Sequence, residues 1–245
     1  MVFLIKRAEW KKMLICCGSF LCAALVFSST VTRPVPAFSP SAGGAVPVTV
    51  IIDPGHGGED GGAVSADGVI ESHINLAVAL QLNDILRFSG VPTVLTRDAD
   101  ISICDDGLET VRKRKASDIR NRVALVEETA NSVLLSIHQN SLPSSPITHG
   151  AQVFWNEQNS AEVLAESIQT ALNLGINHGN EKLPKKISPT VYLMKHITAP
   201  GVLVECGFLT NAEETGKLQQ SSYQRGLALS IAAGYLQSRT KGEPS

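Results

Sequence analysis

The sequence predicts an α/β fold: a mostly parallel, roughly six-stranded central sheet with helices on both faces. Three observations predict it. Short apolar runs of strand length alternate with longer segments whose apolar residues recur at helical spacing. Runs such as Val50–Ile52 and Val202–Val204 are apolar throughout rather than alternating, as strands covered on both faces are. His56, His138 and Glu205 stand at or just after the C-terminal ends of such runs, where open parallel sheets bind ligands.

Val48–Ile52 is the first expected strand, and it breaks into the loop Asp53-Pro54-Gly55-His56-Gly57-Gly58, which presents one imidazole at the sheet rim. Ile74, Ala77, Val78, Leu82, Ile85 and Leu86 recur at helical spacing, so Glu71 to Ser89 reads as a helix closed by Gly90. Val91–Leu95 reads as a second strand, and Thr96–Lys115 as a charged, loop-like stretch. Ser117–Glu128 carries Ile119, Val123 and Val126 on one side of a helix. Strands are then expected at Ser132–Ile137 and Ala151–Trp155, a helix at Ser160–Leu174, strands at Thr190–Met194 and Val202–Glu205, and a last amphipathic helix at Tyr223–Leu236.

With 245 residues and 43% hydrophobic content, the chain can bury one sizeable core. Residues 48–239 read as a single domain and 240–245 as a tail. Lys6, Arg7, Lys11 and Lys12 precede an uncharged stretch from Met13 to Thr32, 20 residues long and about the length that spans a bilayer. Residues 1–30 are therefore expected to be either a cleaved signal or an uncleaved membrane anchor with its basic side in the cytoplasm; both export the body. The Pro-, Ser-, Gly- and Ala-rich residues 31–47 read as a linker. Three of the five cysteines lie in the N-terminal segment. Cys104 and Cys206 alone make no disulfide framework, and Cys206 continues an apolar run. Outside residues 1–30 the net charge is -5, and no basic stripe carries interleaved aromatics, so no nucleic-acid partner is expected. The one dense basic run, Arg112-Lys113-Arg114-Lys115, reads as a solvated loop or the start of a helix.

Parallel strands would bring His56, His138 and Glu205 to one rim, and Glu71 opens the helix after the first strand. A helix N-terminus accommodates a carboxylate well, because unpaired N–H groups face it. Two His and one carboxylate with an open fourth position make a catalytic zinc pattern, and the second carboxylate can serve as general base. The residues do not by themselves say which Glu binds the metal. Taken singly, each has a plainer reading: a strand-terminal His hydrogen-bonded to the backbone, an ordinary first-turn acid. Glu205 is the least ordinary, since a buried carboxylate is costly unless paired or metal-bound. The glycine-rich loop lacks both the G-x-x-x-x-G-K-[ST] and the G-x-G-x-x-G phosphate patterns. His73, His149, His178 and His196 read as surface or loop residues, with His149 the one nearest His138 in its loop.

These motifs resemble the zinc-dependent N-acetylmuramoyl-L-alanine amidases of the Amidase_3 family. The resemblance spans nearly all of Val48–Leu236. It rests on Ile52-Asp53-Pro54-Gly55-His56-Gly57-Gly58, Glu71 with Asn75-Leu76, Thr96-Arg97-Asp98, Arg120-Asn121-Arg122, Ser136-Ile137-His138-Gln139-Asn140, and Val204-Glu205-Cys206-Gly207-Phe208-Leu209-Thr210-Asn211. The short sporulation-type, spore-cortex enzymes are the most similar subtype, through the Arg112–Lys115 run and Thr190–Met194. The resemblance implies a central six-stranded sheet, zinc held by His56, Glu71 and His138, and Glu205 in catalysis. The implied substrate is the amide between the lactyl group of N-acetylmuramic acid and the L-alanine of the peptidoglycan stem peptide. Cleavage is then expected ahead of muramic-δ-lactam formation by a downstream deacetylase, with an activating lipoprotein as partner. Vegetative wall turnover and a silent peptidoglycan-binding protein of the same fold are the alternatives. Asn140 is expected to help orient the site. Gln139, Ser141 and Ser72-His73 depart from the family pattern without removing a ligand. No separate wall-binding repeat is present, so targeting is expected from the anchor, a partner or the catalytic groove.

Overall fold

In the computed structural model, residues 47–241 are described; the expected signal or anchor and nearly all of the linker lie outside them. Six strands, β1 (Thr49–Pro54), β2 (Thr93–Leu95), β3 (Ser132–Asn140), β4 (Gln152–Trp155), β5 (Lys185–Lys186) and β6 (Gly201–Phe208), form one sheet in the order β2-β1-β3-β6-β4-β5. Strands β2, β1, β3 and β6 run parallel, β4 is antiparallel to β6, and β5 is parallel to β4. The helices are α1 (Glu71–Phe88), α2 (Val111–Glu128), α3 (Ala161–Gly175), α4 (Tyr192–His196), α5 (Ala212–Leu218) and α6 (Ser221–Lys241).

The two-residue period of a strand decides what each face carries. Val50, Ile52, Leu135, Ile137, Val202 and Val204 pack into one core with Leu82 of α1, Ile168 of α3 and Ile231 of α6. Each such fully buried aliphatic side chain contributes about 1.5–3 kcal/mol. Their neighbours Ile51, Leu134 and Leu203 point the other way and pack with Val126 of α2 and Leu193 and Met194 of α4. Carried along the strands, the same alternation places Asp53, Ser136, His138 and Glu205 on the α2/α4 side. The parallel register sets Asp53 beside Ser136 and His138 beside Glu205.

The structure differs from the sequence expectation at three places. Thr190–Met194 is not a strand; Tyr192–His196 is helix α4. Its β-branched and aromatic residues suit a strand, but Leu193, Met194 and Ile197 meet the second core at helical spacing. The strand that brings the sheet to six is β5, Lys185–Lys186, whose charges are of the kind that protect a sheet edge. Helix α2 begins at Val111 rather than Ser117, because Thr110 caps it by accepting the Lys113 N–H at 3.2 Å. Cations at a helix N-terminus oppose the macrodipole. Here Arg114 and Lys115 are offset by Glu59 and Asp60, both at 2.7 Å. The third difference is α5, which the sequence reading did not anticipate; Asn211 caps it through the Glu214 N–H at 3.0 Å.

Candidate active site

His56 has φ 63°, a left-handed conformation that disfavours a non-glycine residue, between Pro54-Gly55 and the positive-φ Gly57 and Gly58. Surrounding groups hold it there. The Arg122 guanidinium donates to the His56 carbonyl at 2.8 Å, and Gly57 exchanges backbone hydrogen bonds with Asp60 at 2.8 and 3.2 Å. Arg97, also buried, donates to the Pro54 and Gly55 carbonyls at 3.0 Å each and to Ser72 at 2.9 Å. Thus the loop carbonyls find buried donors, and the imidazole is aimed rather than free to swing.

Glu71 opens α1 with its carboxylate turned back to the rim. Its Oε2 accepts the Ala63 N–H at 2.8 Å, and its Oε1 accepts the Gln139 N–H at 3.1 Å and the Asn75 amide at 3.2 Å. The same Oε1 lies 3.0 Å from His138 Nδ1 and 3.4 Å from His56 Nε2. One ligand atom from each of His56, Glu71 and His138 lies within 4.8 Å of the other two. The two rings meet edge to face, centroids 5.1 Å apart. Behind His56, Asp60 Oδ2 sits 3.0 Å from Nδ1, the outer carboxylate that commonly orients a metal-bound imidazole.

Electrostatics of the cluster favour a cation. Burial would raise the Glu71 pKa, yet the two imidazoles hold it well below the carboxylate range. Burial would lower that of His56, but the Glu71 and Asp60 carboxylates outweigh it and lift it to about 9. Two imidazoles and a carboxylate, with backbone approaching closely at Gly55 and Gly62, suit a borderline-soft divalent metal. A Cβ on Gly55 would overlap the His138 ring, and one on Gly62 would collide with Glu71 and His56. We therefore predict that Gly55→Ala, with every candidate ligand present, lowers metal affinity on the order of 10–100-fold, the scale of orienting-shell losses. Metal titration beside far-UV circular dichroism checks this; wild-type affinity in the variant would contradict it.

Glu205 lies across the β3–β6 pair from His138. Its Oε2 is buried and has no hydrogen-bond partner among the described residues. Burial pushes its pKa up to about 7; Glu71 adds to the rise and the two imidazoles oppose it. His56, His138, Glu205, Asp53 and Arg122 line one cavity of about 300 Å³ between α2 and α4. A larger cavity of about 600 Å³, lined by His149, Glu214 and Tyr223, contains none of the four candidate residues. His149 itself is exposed and bonds the Ile147 carbonyl at 3.1 Å, apart from the cluster. Asn140 accepts the Ser141 N–H at 2.8 Å and its carbonyl takes the Leu209 N–H at 2.8 Å, so it ties the loops after β3 and β6 and is not among the cavity-lining residues. Sequence reasoning missed Asp60, Asp53 and Arg122 as parts of the site. The last two stood in recognised motifs, but only the fold shows them paired.

A mostly parallel sheet with a His/Glu/His cluster that could hold a metal, and a carboxylate with one buried, unpartnered oxygen at the same rim, is the arrangement of a hydrolase. Residues 50–237 match the N-acetylmuramoyl-L-alanine amidase family, Amidase_3, and the chain belongs to it. It is therefore an amidase acting on peptidoglycan. The germination-specific N-acetylmuramoyl-L-alanine amidase of Bacillus subtilis is 35% identical over 196 residues, 80% of this chain and 81% of that one. The amidase LytC of the same organism is 32% identical over 76% of this chain but only 34% of its own length. Among solved structures, the CwlD amidase of Clostridioides difficile in complex with the GerS lipoprotein superposes with a TM-score of 0.76. The two are 32% identical, over 79% of this chain and 98% of that one.

Proposed function

We propose that the protein is a zinc amidase that removes stem peptides from spore-cortex peptidoglycan, ahead of muramic-δ-lactam formation by a deacetylase. The observation that carries the chemistry is the convergence of His56, Glu71 and His138, with both histidines lining one cavity together with Glu205. Similarity to the germination-specific amidase and to CwlD supports the cortex setting. His56, Glu71 and His138 would hold zinc, which when bound supplies Lewis acidity toward the scissile carbonyl and toward water. Asp60 would fix the His56 ring. Glu205 would take the proton of the attacking water and pass it to the departing alanine nitrogen. Asn140 would act indirectly, by setting the loops after β3 and β6. A lipoprotein partner is proposed from the partner of CwlD. Export, by a cleaved signal or a membrane anchor in residues 1–30, is proposed from the basic and apolar pattern there; no helix among the described residues is long and apolar enough to cross a membrane.

Removal of metal by a chelator should abolish release of free alanine amine, and zinc should restore it. His138→Ala should purify with little metal and stay inactive. Activity that persists in chelated, metal-free protein would refute the zinc reading. For the setting, spores made without this protein should lack muramic-δ-lactam; normal lactam with altered vegetative wall would favour turnover instead.

A further inference from the structure

The active-site cavity has two unlike walls. Helix α4 contributes Tyr192, Leu193 and Met194, and α2 contributes Lys115, Asp118 and Arg122. The two cations on the α2 wall differ. Arg122 is buried and spends its donors on Asp53, Asp118 and two backbone carbonyls. Lys115 has a side chain 50% exposed, with its ammonium 2.7 Å from Asp60. An ammonium has three donors, so Lys115 keeps capacity on its open side, and Asp60 holds it in place.

Lys115 also marks a junction. A second cavity of about 400 Å³ shares Asp60, Lys115 and Asp118 with the first and continues over Gly57, Ile101 and Val111. A chain running from the metal cluster past the α2 wall must pass the ammonium. Two hydrogen bonds, Lys115 to Asp60 and Asp60 to His56, link it to the cluster. Two residues of extended peptide span about 7 Å, and a side chain adds further reach. Apart from the two histidines, Tyr192, and Arg122 with its donors spent on Asp53, Asp118 and backbone carbonyls, the other ionisable groups lining the first cavity are acids: Asp53, Asp60, Asp118 and Glu205. An anionic peptide would meet like charge on this wall were Lys115 absent. On the opposite wall, Tyr192 is 43% exposed; one face of its ring stacks on His196 at 3.8 Å, and its other face is a surface suited to the apolar face of a sugar.

We propose that Lys115 reads a free carboxylate on the stem-peptide residue that follows the L-alanine. The substrate then crosses the site with its sugar against α4 and its peptide against α2, continuing into the second cavity. This rests on the amidase reading above.

The test uses the zinc-loaded full chain and two polymeric peptidoglycans that differ only in that residue, one bearing the carboxylate and one the carboxamide. Release of alanine amine gives kcat/KM for each. Wild type should prefer the carboxylate about fivefold, a half-exposed charge-assisted contact. Lys115→Met should bring the ratio to about one, and Lys115→Arg should keep it. Lys115 also touches Asp60, so its loss can lower metal content. That would slow both substrates alike and leave the ratio unmoved, and metal content is measured alongside. Tyr192→Ala should lower both rates with the ratio intact. A wild-type ratio near one, or an unchanged ratio in Lys115→Met, overturns the inference while the amidase reading stands. Hydrolysis of neither polymer, with the proposed lipoprotein partner added as well as without it, overturns both.

Discussion

Glu205→Gln is expected to slow amide hydrolysis by about 10²–10⁴-fold, the usual weight of a positioned general base, while the protein keeps its metal and its fold. The β3–β6 register puts Glu205 beside His138, on the sheet face that α2 and α4 cover. It is not one of the three residues whose ligand atoms converge. Its Oε2 is buried without a partner among the described residues, an arrangement that costs stability and calls for a functional explanation. Glutamine has nearly the same shape and cannot take a proton. Release of alanine amine should therefore collapse, metal content should match the wild type, and the thermal midpoint should not fall. Near-wild-type turnover in the variant would remove Glu205 from the chemistry; loss of metal would make it a ligand instead.

Arg122→Met should destabilise the fold by about 3–5 kcal/mol, the scale for breaking a buried ion pair from one side. Asp53 is 1% exposed, and Arg122 Nη1 lies 2.6 Å from its carboxylate. Ser136 and Thr96 complete the shell at 2.7 and 2.8 Å. Without Arg122, a buried carboxylate keeps two hydroxyls and loses its paired countercharge, the His56 carbonyl loses its guanidinium donor, and the Pro54 carbonyl is left with Arg97 alone. The His56 conformation should loosen with them, so metal affinity should fall beside stability. Asp53→Asn with Arg122→Met should recover part of the loss, because the stranded charge is gone. Chemical denaturation measures this; a single variant within 1 kcal/mol of wild type would contradict the role of the clamp.

The pH dependence follows from the same pair. Burial would raise the Asp53 pKa, but Arg122, Ser136 and Thr96, with the nearby His138, hold it below the ordinary value. A carboxylate depressed in the folded state contributes stability that is complete above its unfolded pKa, about 4, and is lost as pH falls through the folded value. The acid limb of the stability curve should therefore be shallower in the double variant, which lacks this titration.

Most of the α/β pattern was legible in the sequence because buried parallel strands must be apolar throughout and their covering helices must be apolar on one side. Thr190–Met194 misled because β-branched and aromatic residues report a fit to a half-buried surface, and here that surface meets a short helix. Lys185–Lys186 carries no apolar signal, since an edge strand has little to bury. The sequence by itself determined the family and placed four candidate residues at strand and helix ends, because a carboxylate or imidazole stands out against an apolar run. Only the tertiary structure decided which face they share. Side chains alternate along a strand, and the register between β1, β3 and β6 depends on pairing between segments far apart in the chain. That register put His138 beside Glu205 and Asp53 beside Ser136. The packing of α2 against the same face then brought Arg122 to Asp53, and Lys115 through Asp60 to His56.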